Sequence, residues 1–280
     1  MPELPEVEAV RQRLERSMRG KAIARVVLRR PDLRRPFPAD FVSRLEGQTV
    51  RSLRRRGKYL LFDLSSTETL LVHLGMSGSF RITKRAHRKR GRGSVEPVSS
   101  GAHDHVAFEL ANGSVVTFND PRRFGLMDVL AARPDVAHRA LLSMGAEPLD
   151  GSFDAQALAR GCANRRTALK VVLLDQRVVA GLGNIYASEA LHRAALSPRR
   201  KASSVATSSG RPRPAAFRLV RAIKTVLRDA IARQERPYRS GDFRVYERAG
   251  ARCPRPGCGG TIRRLFQAGR STFFCPKCQR

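Results

Sequence analysis

The sequence predicts an α+β protein in three parts: an N-terminal helix with an antiparallel β-sandwich, a helical segment, and a C-terminal β-hairpin closed by metal. Three observations carry this. Short runs rich in β-branched and aromatic residues, separated by turn residues, fill 23–129. From about 133 to 233 helical spacing replaces them. Four of the five cysteines crowd into 253–278.

In chain order, Val7, Val10, Leu14 and Met18 recur at helical spacing, so about 5–18 reads as an amphipathic helix stopped by Gly20. The runs ARVVL, YLLFDL, TLLVHL, HVAFEL and SVVTF read as the strands of the sandwich. Residues 84–104, basic and rich in Gly and Ser, read as a long exposed loop. SFDAQALARGCA, RTALKVVLLD, NIYASEALHRAAL and AAFRLVRAIKTVLRDAIAR read as helices, and 199–214 as a linker-like loop. The expected domains are 1–132, 133–248 and 249–280.

The 280 residues carry 54 Lys and Arg against 24 Asp and Glu, a net charge of +30. Solubility alone needs no such imbalance, so a polyanion is the expected partner, nucleic acid before a membrane surface or ribosome. No apolar run is long enough to cross a membrane and the start lacks a secretory pattern, so the cytosol is the expected location.

Cys253-x4-Cys258 and, sixteen residues on, Cys275-x2-Cys278 have the spacing of two zinc knuckles. Four thiolates suit one tetrahedral, structural Zn2+ and leave no open position for catalysis. Between them Ile262, Leu265, Phe273 and Phe274 flank a turn at Ala268-Gly269. Arg270 sits at the hairpin tip, either solvated or in contact with a phosphate.

The opening MPELPEVEAV places Pro2 where aminopeptidase can expose it by removing Met1. An α-amine has a pKa of about 7.7–8.0 against about 10.4 for lysine, so it is the better nucleophile at neutral pH. A secondary amine attacking a carbonyl carbon yields an iminium, a cationic electron sink. Glu3 and Glu6 could shuttle protons beside it, or merely favour a helix N-terminus.

RRGKYLLF puts Lys58 at a turn before a strand, HLGMSGSF puts His73 and Met76 on a glycine-flanked loop, and FNDPRRFGLM puts Arg122 and Phe124 after an Asp-Pro turn. Met76 and Phe124 are either core or exposed tips; exposed, they would suit wedging between bases. GLGNIYASE reads as two tight turns and a helix opening at Asn184, whose free N–H groups suit a phosphate.

These motifs, in this order and nearly end to end, resemble the formamidopyrimidine-DNA glycosylases, a family that also contains endonuclease VIII. The resemblance implies a bifunctional glycosylase and abasic-site lyase, monomeric and nucleoid-associated, acting on double-stranded DNA that carries oxidised bases or abasic sites. It implies Pro2 as nucleophile on C1′, Glu3 as general acid/base, Glu6 in support, and Lys58 and Arg270 gripping phosphate at the site. It implies Met76, Arg122 and Phe124 in the gap left by the flipped base, with His73 and Asn184 also on DNA. Two alternatives remain: an endonuclease VIII-like preference for oxidised pyrimidines, which the RRF and HLGMSG motifs disfavour, and a non-catalytic damage-binding protein, which the intact Pro2-Glu3 pair disfavours.

The sequence departs from the family pattern twice. The first cysteine pair is x4-spaced where x2 is usual. The segment 234–244 is too short for the loop with which the family's eight-oxoguanine enzymes cap an extruded purine, so activity on eight-oxoguanine is in question.

Overall fold

The computed structural model describes residues 2–84, 101–131, 138–233 and 240–280. They form two compact units: Met1–Pro2 with Val7–Leu142, and Glu3–Glu6 with Ser143–Arg280.

In the first unit, helix α1 (Leu4–Met18) is followed by β1 (Ile23–Leu28), a short helix α2 (Phe41–Leu45), β2 (Val50–Arg56), β3 (Tyr59–Leu64), β4 (Thr69–His73), β5 (Ser79–Lys84), β6 (Asp104–Leu110), β7 (Ser114–Asn119) and β8 (Leu126–Leu130). The strands make two antiparallel four-stranded sheets, ordered β1-β6-β7-β5 and β2-β3-β4-β8. Strands β4 and β7 are buried along almost their whole length, which explains their near-continuous apolar runs. The stripe Val7, Leu14 and Met18 of α1 joins Phe62, Phe108 and Phe118 in one core. Of the loop expected over 84–104, Lys84 ends β5 and Asp104 begins β6, and 85–100 lie outside the described residues.

The first unit ends in a short helix α3 (Arg139–Leu142); the second holds α4 (Ala155–Cys162), α5 (Leu169–Leu173), α6 (Asn184–Arg193) and α7 (Pro214–Ala232), and the hairpin β9 (Arg263–Gln267) with β10 (Arg270–Phe274). Asp154 caps α4 by accepting from the Ala157 N–H at 2.7 Å, and Pro214 opens α7, where its missing N–H costs nothing. The segment 199–214 is not a linker. It contains a 3-10 turn, Ala202–Val205, and Ala202, Val205 and Ala206 are buried. Its Ser- and Pro-rich composition hid two small apolar residues, Ala202 and Val205, that close the helical core.

Candidate active site and zinc hairpin

Glu3 belongs structurally to the second unit. Its side chain is 1% exposed, with Oε1 accepting from the Ile185 N–H at 3.0 Å and Oε2 from the Tyr186 N–H at 3.4 Å. These are free donors of the first turn of α6, where the helix dipole also favours an anion. The motif expected to offer N–H groups to phosphate therefore gives two of them to the protein's own carboxylate. Gly183 is required by this seating. A Cβ there would lie 2.2 Å from the Glu3 carboxyl carbon.

Glu6 completes the arrangement. Its Oε2 accepts from the Glu3 N–H at 2.8 Å, closing the start of α1 in the manner of a capping box, and its Oε1 accepts from the Tyr186 hydroxyl at 2.5 Å. Burial first, then the Glu6 carboxylate, raises the Tyr186 pKa, so the phenol stays a donor. Both carboxylates thus sit at helix ends, Glu6 at the start of α1 and Glu3 at the start of α6.

Asn184, the first residue of α6, has both side-chain groups engaged. Its Nδ2 donates to the Ser271 carbonyl at 2.9 Å and its Oδ1 accepts from Lys170 Nζ at 2.6 Å. Lys170, 1% exposed, also donates to the Thr272 hydroxyl at 2.7 Å and the Ser271 carbonyl at 3.2 Å. Three acceptors match the three donors of an ammonium. Burial lowers its pKa to about 8 against the pull of Glu3, so it is still mostly charged at neutral pH. Lys170 and Asn184 thereby fix strand β10, whose first residue is the exposed Arg270. The sequence reading missed Lys170. The available signal was a lone lysine inside the apolar run LKVVL.

In the first unit, Lys58 follows Gly57 in the turn between β2 and β3. His73 ends β4 with its ring 4.8 Å from that of Tyr59. Burial, then Lys58 and Arg34, lowers its pKa to about 4, and its Nδ1 accepts from the Gly75 N–H at 3.0 Å. The neutral ring therefore carries its hydrogen on Nε2, as a donor. Met76 and Phe124 are 39% and 43% exposed, which decides between core and tip. The Arg122 guanidinium lies 4.9 Å over the Phe124 ring. The two loops are stitched together: Ser77 donates to Asp120 at 2.5 Å and accepts from the Arg122 N–H, while the Gly125 N–H donates to Asp120. Gly75, at φ +63°, has the Phe124 backbone 2.3 Å from where a Cβ would stand.

The sulfurs of Cys253, Cys258, Cys275 and Cys278 all lie within 4.8 Å of one another, with Cys258–Cys275 at 3.6 Å and Cys253–Cys278 at 3.8 Å. Bonds of about 2.3 Å to a tetrahedral zinc require sulfurs about 3.8 Å apart, so the four residues fit the ion. Ala268 at φ +47° and Gly269 at φ +71° form the expected hairpin turn. Val245, Ile262 and Phe273 pack beside the sulfurs as a small separate core. Buried His192, the penultimate residue of α6, places Nε2 3.4 Å from the Cys253 sulfur. Burial and nearby arginines lower its pKa to about 4.

Sandwich, helix-two-turn-helix and four-cysteine hairpin together define the class of zinc-bearing DNA glycosylases. Profiles of the formamidopyrimidine-DNA glycosylase N-terminal domain, of its helix-two-turn-helix domain, and of the zinc finger found in this enzyme and in isoleucyl-tRNA synthetase match residues 1–127, 144–240 and 250–280. The formamidopyrimidine-DNA glycosylase of Bradyrhizobium diazoefficiens is 52% identical over the whole of both chains. The crystal structure of the Thermus thermophilus MutM (Fpg) protein is 36% identical with a TM-score of 0.81, covering 99% of this chain and 98% of that one. Lactococcus lactis Fpg in complex with abasic-site DNA is 28% identical with a TM-score of 0.86 over the full length of both. The chain belongs to the formamidopyrimidine-DNA glycosylase family.

Proposed function

We propose that this enzyme excises oxidised bases from duplex DNA and nicks the resulting abasic site by β,δ-elimination, working as a monomer in the bacterial cytoplasm. The family supports the glycosylase and lyase activities, and the names of the relatives disfavour the pyrimidine-specific and non-catalytic alternatives. We divide the labour as a catalytic part (1–132), a helix-two-turn-helix part (133–248) and a zinc finger (249–280).

The observation that carries the mechanism is Glu3, next in the chain to Pro2 and held by two N–H groups of α6. The Pro2 amine, freed of Met1, attacks C1′ while the base departs with the glycosidic electron pair. Glu3 carries the proton that opens the deoxyribose ring. The iminium then acidifies the C2′ hydrogen, whose loss expels the 3′ phosphate, and a second elimination expels the 5′ phosphate. Lys58, His73, Asn184 and Arg270 grip the backbone, while Met76, Arg122 and Phe124 fill the space left by the flipped base. Zinc on four thiolates supplies no reactive position. It fixes the hairpin that carries Arg270.

Borohydride is expected to trap the processed protein on abasic DNA, with Pro2→Gly trapping less. A protein retaining Met1 is expected neither to trap nor to nick; full nicking by it would move the nucleophile to a lysine.

The short 234–244 segment supports a narrower spectrum. Residues 234–239 lie outside the described residues, but the N–H groups of Arg244, Val245 and Tyr246 all bond to Glu189, and Phe243 is buried. Little chain is left between α7 and that anchor to fold over a purine. The Bradyrhizobium relative aligns over 300 positions against the 280 residues here, so it carries residues that this chain lacks. We expect eight-oxoguanine opposite cytosine to be excised more slowly than a formamidopyrimidine in single-turnover assays on matched duplexes. Equal rates would assign the cap to another segment.

A further inference from the structure

The two ends of α6 do different work. At its N-terminus the helix seats Glu3. At its C-terminus the last carbonyls, which have no i+4 partner within the helix, meet a side chain from the zinc site, and the His192 carbonyl also accepts from the Ala195 N–H at 3.1 Å. Arg255 Nη2 donates to the His192 carbonyl and, at 3.3 Å, to the Arg193 carbonyl. Arg255 lies between Cys253 and Cys258, in the knuckle that is two residues longer than the family's usual one. A positive guanidinium on helix C-terminal carbonyls is favoured by the dipole as well as by the hydrogen bonds. The same turn of helix reaches the metal site a second way, through His192 Nε2 and the Cys253 sulfur.

Between these ends Ile185–His192 is buried without a break. Ten residues at about 1.5 Å rise make a strut of about 15 Å. Packed along its length, it cannot absorb a displacement by bending, so a shift at one end moves the other.

We propose that Arg255 is a positioning residue for Glu3: it clamps the C-terminus of α6 to the zinc knuckle, so that metal occupancy sets the helix N-terminus on which the catalytic carboxylate rests. The extra length of the knuckle is what lets the guanidinium reach the carbonyls. The inference rests on the reading of Glu3 as the general acid/base, and it gives the zinc module a part in the chemical step beyond its grip on DNA.

The test compares zinc-loaded, full-length wild type, Arg255→Ala, Arg255→Lys, Glu3→Gln and the Glu3→Gln/Arg255→Ala double variant. It measures zinc release to a chelator, duplex affinity, and single-turnover excision of a formamidopyrimidine at saturating enzyme. Arg255→Ala should still bind one zinc per chain but release it several-fold faster, with affinity within about twofold of wild type and a saturated excision rate down about tenfold. Arg255→Lys, which keeps one donor and the charge, should recover part of the rate. In the Glu3→Gln background the further loss should vanish, because an orienting effect needs the group it orients. An unchanged saturated rate, or a loss that appears only as weaker binding, overturns the proposal and leaves the roles of Glu3 intact. Near-normal excision by Glu3→Gln instead overturns the acid/base reading, and with it the catalytic consequence of the clamp, whatever zinc release shows.

Discussion

A buried charge needs partners for each of its hydrogens, and Lys170 has three. Losing one proton removes a donor while relieving the desolvation that lowers its pKa to about 8. Stability and binding should therefore respond to pH in opposite directions. The unfolded lysine titrates near 10.5, so between about pH 8 and 10.5 the unfolded chain binds more protons. This residue's contribution to stability is full above that window and is lost as pH falls through about 8. Affinity for abasic duplex should instead weaken as pH rises through 8, since Asn184 and β10 lose a tether. Lys170→Met should weaken binding about tenfold at pH 7 and flatten that part of the pH profile, without lowering thermal stability at neutral pH. A profile with the same inflection in the variant would remove Lys170 from the account. The sequence could not disclose this residue's role, because its partners Ser271 and Thr272 lie a hundred positions away.

Individual elements were legible where periodicity is local. The stripe of α1 and the alternation of the hairpin follow from side-chain direction alone. What an element binds is not local. The start of α6 advertises free N–H groups, and the chain could not tell phosphate from carboxylate, since both satisfy the same donors. Segment 199–214 misled for a related reason: burial of Ala202 and Val205 is decided by the helices around them. The close approach of Gly183 to Glu3 gives a sharp test of the α6 assignment. The Gly183 backbone, at φ −120°, admits any residue, so the cost of Gly183→Ala is the collision with the carboxylate and not backbone strain. We expect duplex binding and zinc content to survive while single-turnover excision falls about a hundredfold, as a displacement of about 1 Å can produce. Wild-type excision by this variant would mean that Glu3 acts from some other position.

At the scale of the molecule, the two units own separate cores and the zinc hairpin a third, far smaller one. A core that small cannot hold itself together without metal. Stripping zinc with a chelator should leave the strand signal in far-UV circular dichroism and abolish high-affinity DNA binding. Loss of the sandwich on chelation would show that the cores are not independent. The discontinuous second unit has a further consequence, for timing. Glu3 emerges from the ribosome among the first residues, yet its seat lies 182 positions later. At about 5–20 residues per second, that is about 9–36 s of synthesis during which the amine-bearing end of the chain exists without the helix that completes it. On the roles proposed for Pro2 and Glu3, the amine is made first and the carboxylate is docked only once the second unit folds, so a nascent or truncated chain is expected to bind DNA without cutting it.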